Sequence, residues 1–312
     1  MSLRNERWGV IVNPYSGKRQ LQKDWKNIFY LLKKAEINFS EQLTAFPGHA
    51  IEIARTMVES GFRHLLIVGG DGTLNEVVNG IYTSSIADKQ AVTLALVPYG
   101  TGNDWARYWG ITRNYRQLAR QLFCRKCTAV DLGKITYTDP RGRNATRYFI
   151  NGAGWGFDGL VVRITNKIKK IFGGSGWVYS LAVFIALFKL KVHRMCLKSD
   201  DKEVQHGILT VAIGNGCYSG GGLKQVPDAT PTDGLFHITA MGKLKLRQVP
   251  SALKMLFADR LPEHAEAHPF VTSKFTLDYD GIIDVETDGV DLVGRAPFIV
   301  EVVPNGIQML VP

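Results

Sequence analysis

Three stretches in the first hundred residues, "WGVIVN", "HLLIVGG" and "VTLALVPYG", are almost wholly apolar. Each runs into glycine or small polar residues. A strand that alternates in polarity has one wet face; a strand apolar throughout is covered on both, as in a parallel sheet flanked by helices. Between these runs the period changes. Leu21, Trp25, Ile28 and Leu32 recur at steps of four, three and four. Ile51, Ala54 and Val58, then Leu74, Val77, Val78 and Ile81, repeat the pattern. Each set is one face of a helix. "INFSEQLT" reads as a further strand, and short helices are expected from Asn103 and around Leu118 and Leu122. Residues 1–128 thus predict a doubly wound α/β domain.

Beyond Cys127 the pattern becomes one of strands. "TAVDLGKITYT", "TRYFINGAGWG", "HGILTVAIGNG", "LFHITAMGKL", "VTSKFTLDYD" and "IIDVETDGVDLVG" are strand-like pieces punctuated by Gly, Pro and Asp. Helical patterns interrupt them chiefly at 177–190 and 248–257. Residues 129–299 predict a largely antiparallel second domain, sandwich or barrel-like. The closing run "PFIVEVVPNGIQMLVP" leaves open a return of 300–312 to the first domain. A length of 312 residues suits two cores better than one.

Lys and Arg number 38 against 28 Asp and Glu, a net charge of +10 that suits an anionic partner: nucleotide, nucleic acid or acidic membrane. Cys124 and Cys127 make one CxxC without the second pair a zinc ribbon needs, so the four thiols read as reduced. No apolar run at the N-terminus is long enough for a signal peptide. The longest one, "WVYSLAVFIALFKL", falls short of the roughly 20 residues of a spanning helix. A cytoplasmic protein is expected.

In an open α/β sheet, ligands sit at the carboxyl ends of the strands. Three loops leave such ends: "NPYSGK" (13–18), "GGDGTLN" (69–75) and "PYGTGNDWAR" (98–107). Glycine lets backbone approach a ligand closely, and N–H groups at a helix start suit phosphate oxygens. A bare phosphate cradle would repel Asp71. A Mg²⁺ ion between carboxylate and phosphate reconciles the two, with Asp104 as a second carboxylate. A plain Asp-Gly turn explains one loop but not three in succession. Neither GxxxxGK[ST] nor GxGxxG is present.

Together "NPYSGKR", "GGDGTLNEVVNG", "PYGTGNDWAR", "DLG" (131–133), "NGAGWGFDG" and "GGGLKQVPDATPTDGLF" resemble the diacylglycerol kinase catalytic-domain family, which includes bacterial lipid kinases and sphingosine kinases. The more distant nicotinamide dinucleotide kinases share GGDGT, but "NPYSG" and "GTGNDWAR" resemble the lipid kinases. The resemblance implies an NAD kinase-like α/β domain followed by an antiparallel β-sandwich. It also implies transfer of the ATP γ-phosphate to a lipid alcohol, with ATP on the first domain's loops and the lipid approaching from the second. Diacylglycerol is the foremost acceptor. By motif, ATP contacts fall on Asn13, Pro14, Tyr15, Ser16 and Gly17, on Thr44, on Gly69, Gly70, Asp71, Gly72, Thr73, Leu74 and Asn75, and on Thr101. Asp71, Asp104 and Asp131 form the acidic set for catalytic Mg²⁺. A structural Mg²⁺ site falls on Thr230, Asp233 and Leu235, the first and last through backbone carbonyls. The stretch "FINGAGWGFDG" is expected to line the active site.

One position departs from that pattern. Members of the family carry Asp-Gly-Glu near the C-terminus, with Glu as general base; here Asp288-Gly289 is followed by Val290. In a two-residue hairpin Glu286 opposes Asp291, on the face away from Val290, so Asp291 serves only if a bulge re-aims it. Asp71 can take the proton instead, since a loose transition state asks little of a base until late. Transfer is expected to survive, slowed. A dinucleotide kinase and a catalytically weakened ATP-binding sensor are the competing readings.

The segment 163–194 sets Lys167, Lys169, Lys170, Lys189, Lys191 and Arg194 beside an apolar helix. Leu181, Phe184, Ile185 and Phe188 are expected to cap the second domain's sheet, while the basic flanks make peripheral contact with an anionic membrane. "RYWGITRNYR" is the nearest approach to a nucleic-acid reader and more simply packs a helix, so no nucleic acid is expected. Edge strands leave a homodimer open.

Overall fold

The computed structural model describes residues 7–17, 20–124, 126–172, 176–189 and 191–312. Lys18 and Arg19 of the first loop lie outside them, as do the side chains of Lys169 and Lys170. The chain forms two compact units, 1–130 with 305–312, and 131–304.

In the first unit β1 (Arg7–Val12), β2 (Asn38–Leu43), β3 (His64–Gly69) and β4 (Thr93–Pro98) lie in the order β2-β1-β3-β4, all parallel. The end of β14 (Val290–Leu310) adds a further parallel strand beside β4, through Gln308 and Met309. The Tyr82 hydroxyl donates to the Gly306 carbonyl at 2.6 Å and holds this returning segment. The helices are α1 (Gln20–Lys34), α2 (His49–Glu59), α3 (Asp71–Tyr82), α4 (Asp104–Trp109) and α5 (Tyr115–Cys124). Their apolar faces are buried at Leu21, Ile28, Leu32, Leu118 and Leu122, which pack with Val10, Val68 and Val97 of the sheet. The Glu76 carboxylate accepts the Gly48 and Ala50 N–H groups at 2.9 and 3.2 Å. It thereby satisfies donors at the start of α2 that no helical carbonyl reaches.

The second unit is antiparallel. Its strands are β5 (Cys127–Thr138), β6 (Asn144–Phe149), β7 (Gly152–Gly156), β8 (His193–Lys198), β9 (Glu203–Gly214), β10 (Phe236–Gly242), β11 (Ala267–Thr272), β12 (Lys274–Tyr279), β13 (Ile282–Thr287) and most of β14. One layer runs β11-β10-β9-β7-β13-β14. The other runs through β8 and β12, because β9 pairs with β8 over 203–208 and with β7 over 210–214, while β14 leaves β13 and pairs with β12 over 298–301. Long strands that pass from one layer to the other make the corners of a sandwich. Trp155, Phe149, Phe236, Phe275 and Phe298 fill its core.

Among the described residues, the α-helices α6 (Phe157–Phe172), α7 (Gly176–Leu187) and α8 (Val249–Phe257) decorate this sandwich. α6 has no counterpart in the sequence reading. The stretch that leads into it, "GAGWGFDG", is so rich in glycine that turn signals mask the helical spacing of Val161, Ile164 and Ile168. The expected burial of Leu181, Phe184 and Phe188 against the sheet is also corrected: all three are exposed. α7 is apolar around its whole circumference, so periodicity could not tell which face packs.

Candidate active site

In the first unit the expected loops come together. The Asn13 side-chain amide donates to Thr73 Oγ1 at 3.0 Å, joining the loop after β1 to the start of α3. Its carbonyl oxygen accepts the Tyr15 N–H at 3.1 Å. Thr44 is buried, and its N–H bonds the Val12 carbonyl at 2.8 Å, beside the same loop. The loops after β3 and β4 approach so closely that a Cβ on Gly70 would lie 2.5 Å from the Gly100 Cα. No other residue fits at either position without moving the backbone. Asn103, at φ +50°, shapes the second loop by accepting the Gly100 N–H at 2.7 Å and donating to the Gly100 carbonyl at 2.9 Å. Thr101 is exposed at its tip.

Asp71 opens α3, where a carboxylate faces the positive end of the helix. Its two oxygens accept the Asp104 and Trp105 N–H groups, each at 3.2 Å. Asp71 therefore caps α4 and draws Asp104 next to itself. Asp104 is buried, and the Arg107 guanidinium lies 4.0 Å from its Oδ1. Two carboxylates adjoin glycine loops whose N–H groups begin helices. That donor set fits Mg²⁺, which takes one or two carboxylates together with substrate phosphate oxygens.

In the second unit Asp131 is buried; its Oδ2 accepts the Gly234 N–H at 2.8 Å, and its own N–H bonds the Pro231 carbonyl. Asp131 is thus fastened to the turn carrying Thr230, Asp233 and Leu235. Asp233 Oδ1 accepts the Leu235 N–H at 3.0 Å, and Oδ2 lies 3.4 Å from His237 Nε2. One carboxylate and neighbouring backbone carbonyls make an all-oxygen set that suits a hard cation. Among the described residues there is no cluster of three or more His, Cys, Asp or Glu side chains that could hold a metal by themselves.

The hairpin at 287–290 has the geometry expected of its sequence. Asp288 and Gly289 are at φ +50° and +79°, Thr287 opposes Val290, and Glu286 opposes Asp291. Asp291 Oδ1 accepts the Asn166 amide at 2.6 Å. Asp288 has a role that sequence reasoning missed. Buried, it accepts three N–H groups, from Ile150 at 2.8 Å and from Asn151 and Gly152 at 2.9 Å. Asn215, wholly buried, donates to the Asp131 and Ile150 carbonyls at 2.8 and 2.6 Å. The segment "FINGAGWGFDG" is held by these side chains. Its last carboxylate, Asp158, meets the Gln225 amide at 3.0 Å, and burial pushes its pKa up to about 6 against the pull of Gln225 and Thr210. Only the residue types hinted at this network; partners 50 or more positions apart leave no local signal.

Glycine loops and paired carboxylates at the carboxyl ends of parallel strands define a nucleotide-binding α/β unit, here joined to a β-sandwich. Residues 7–135 match the diacylglycerol kinase catalytic domain, and residues 152–311 match the YegS C-terminal NAD kinase beta sandwich-like domain. The chain belongs to this family of ATP-dependent lipid kinases. It is 30% identical to a diacylglycerol kinase of Staphylococcus epidermidis, over 87% of this chain and 84% of that one. It is 26% identical, over 95% of both chains, to a Yersinia enterocolitica protein named "Probable lipid kinase YegS-like". A crystal structure of a Bacillus anthracis diacylglycerol kinase superposes with a TM-score of 0.72 at 22% identity, covering 98% of this chain and 97% of that one. Yeast NADH kinase, complexed with NADH, shares the fold at a TM-score of 0.57 and 11% identity, covering 98% and 84%.

Proposed function

We propose that this chain transfers the γ-phosphate of ATP to the hydroxyl of a membrane lipid, with diacylglycerol as the acceptor and phosphatidic acid as the product. The observation that carries the reading is the convergence of Gly70, Gly100, Asp71 and Asp104. Two loops touch backbone to backbone where no side chain intervenes, and two carboxylates stand at their edge. The N–H groups of residues 70–73, at the open end of α3, would hold the triphosphate, with Asn13 fixed beside them through Thr73. Asp71 and Asp104 would hold Mg²⁺, which supplies charge neutralisation on the phosphoryl oxygens when bound. Thr230, Asp233 and Leu235 would hold a second, structural ion that steadies the turn fastened to Asp131.

The acceptor oxygen forms a bond to the γ-phosphorus as the bond from phosphorus to the bridging β,γ-oxygen breaks, and ADP leaves with that electron pair. The hydroxyl proton needs an acceptor. Val290 offers none, and Asp291 is turned toward Asn166. Asp71 is the carboxylate we assign to it, late in the transfer. Recruitment to an anionic membrane brings the cytoplasmic enzyme to its acceptor.

Purified protein with γ-labelled ATP, Mg²⁺ and a panel of lipid alcohols and NAD tests this reading. Label in phosphatidic acid is expected. Label in another lipid corrects the acceptor, and label in NADP assigns a dinucleotide kinase. ATP binding without transfer to anything shows that the loss of Glu at position 290 has left a sensor.

A further inference from the structure

Among the described residues, helix α7 packs on one side. Ala182 and Ala186 are buried in a small cluster with Val161 of α6, bordered by Ile164, Ile168 and Val183. On the opposite side Leu181, Phe184 and Phe188 are 37%, 57% and 78% exposed. They recur at steps of three and four, so they share one face. The Phe184 and Phe188 rings meet edge to face, 5.0 Å apart, as a single apolar knob. Contiguous exposed apolar side chains of this kind mark surfaces for a protein or membrane partner.

The charge around the patch says what that surface is. Between Asp158 and Asp200 the sequence has eight Lys and Arg residues and no Asp or Glu. Lys189 and Lys191 are exposed directly after Phe188, and Arg194 follows. The carboxylates that face α6 from β13 and β14 are already engaged: Asp284 pairs with Arg163 at 2.9 Å, and Asp291 accepts from Asn166. The cations at the end of α7 therefore lie beside exposed rings with no acidic residue in their own segment. Aromatic and leucine side chains over one face with lysines at its border describe a helix that lies in the plane of an anionic bilayer. With 12 residues, α7 is about 18 Å long and cannot cross a hydrocarbon core of about 30 Å.

We propose that this face is a membrane-docking surface. Leu181, Phe184 and Phe188 enter the boundary between headgroups and acyl chains, while Lys189 and Lys191 meet lipid phosphates. The inference rests on the lipid-kinase reading for its choice of a bilayer over an acidic protein, and it gives that reading the surface by which a water-insoluble acceptor is reached. The apolar side chains carry the depth and the basic ones the preference for negative charge.

Sedimentation with sucrose-loaded vesicles, with neither ATP nor acceptor present, tests the surface apart from turnover. The wild type should sediment with phosphatidylglycerol vesicles and far less with phosphatidylcholine alone. Phe184→Ser combined with Phe188→Ser should lower the partition coefficient about tenfold or more at unchanged anionic content. Lys189→Glu with Lys191→Glu should lower it by about the same factor and abolish the lipid preference. In Phe184→Trp, lipids brominated on their acyl chains should quench emission beyond the background of the six native tryptophans. Wild-type sedimentation by the serine pair, or an unquenched Phe184→Trp variant that still binds, overturns the proposal. If the serine pair fails to fold, the quenching decides. A chain that binds vesicles this way yet phosphorylates no lipid refutes the function and keeps the surface.

Discussion

Two Asp-Gly steps in this chain are spelled alike and built differently. Asp71, in the loop after β3 of the first unit, accepts two N–H groups at 3.2 Å each and is half-buried. Asp288, in the β13–β14 hairpin of the second, is buried and accepts three N–H groups at 2.8–2.9 Å. Short charge-assisted bonds are the strong ones. Asp288 is thus anchored by its own backbone surroundings, and its carboxylate is spent on fixing where Ile150, Asn151 and Gly152 lie. Asp71 is held at longer range, at the mouth of a glycine loop and beside a second carboxylate. Asp288 serves structure, whereas Asp71 both caps α4 and is the aspartate we propose for chemistry.

Substitutions can break this contrast. The largest effect should come from Asp71→Asn, which keeps shape and one acceptor but removes charge. Lipid phosphorylation should fall about 10³-fold, as when a group that stabilises transition-state charge is removed. The urea midpoint should move little; a large loss of stability would mean that Asp71 is structural too. Next comes Asp288→Ala. It orphans three backbone donors, and with each worth about 1–3 kcal/mol the loss of unfolding free energy should be at least about 3 kcal/mol. Residual activity per folded molecule should remain. Gly70→Ala should follow: a Cβ 2.5 Å from the Gly100 Cα forces the two loops apart and should weaken ATP binding about tenfold by calorimetry.

The smallest effect is a pH dependence at a third carboxylate. Burial raises the Asp158 pKa from 3.8 to about 6, so the folded chain binds its proton more tightly than the unfolded chain does. Its favourable contribution is full below pH 4 and is lost as pH rises through 6. Asp158→Asn does not titrate, and its melting temperature relative to wild type should therefore rise by a few degrees between pH 4 and 7. A constant difference across that range would contradict the raised pKa.

Much of the first unit was legible in the sequence because its information is local. Apolar strands and the spacing of Leu21, Ile28 and Leu32, or of Leu74, Val77 and Ile81, report burial directly, and the helices lie there. The antiparallel second unit was legible as a set of strands and as a sandwich. Its corners were not, since nothing in "EVQHGILTVAIG" says that one strand serves two layers. The site divides the same way. The glycine loops announced themselves, whereas the capping of α4 by a carboxylate 33 residues upstream and the triple anchor on Asp288 belong to long-range geometry. α7 shows the remaining limit: a helix apolar all round carries no periodicity, and only its packing reveals that Phe184 and Phe188 face outward.

The proposed chemistry places a magnesium ion between Asp71 and the triphosphate. Calorimetric titration of ATP into wild type and Asp71→Asn, each with and without Mg²⁺, measures that directly. The prediction is that Mg²⁺ tightens ATP binding to the wild type at least about tenfold and tightens it little in the variant. Equal magnesium dependence in the two proteins would contradict it.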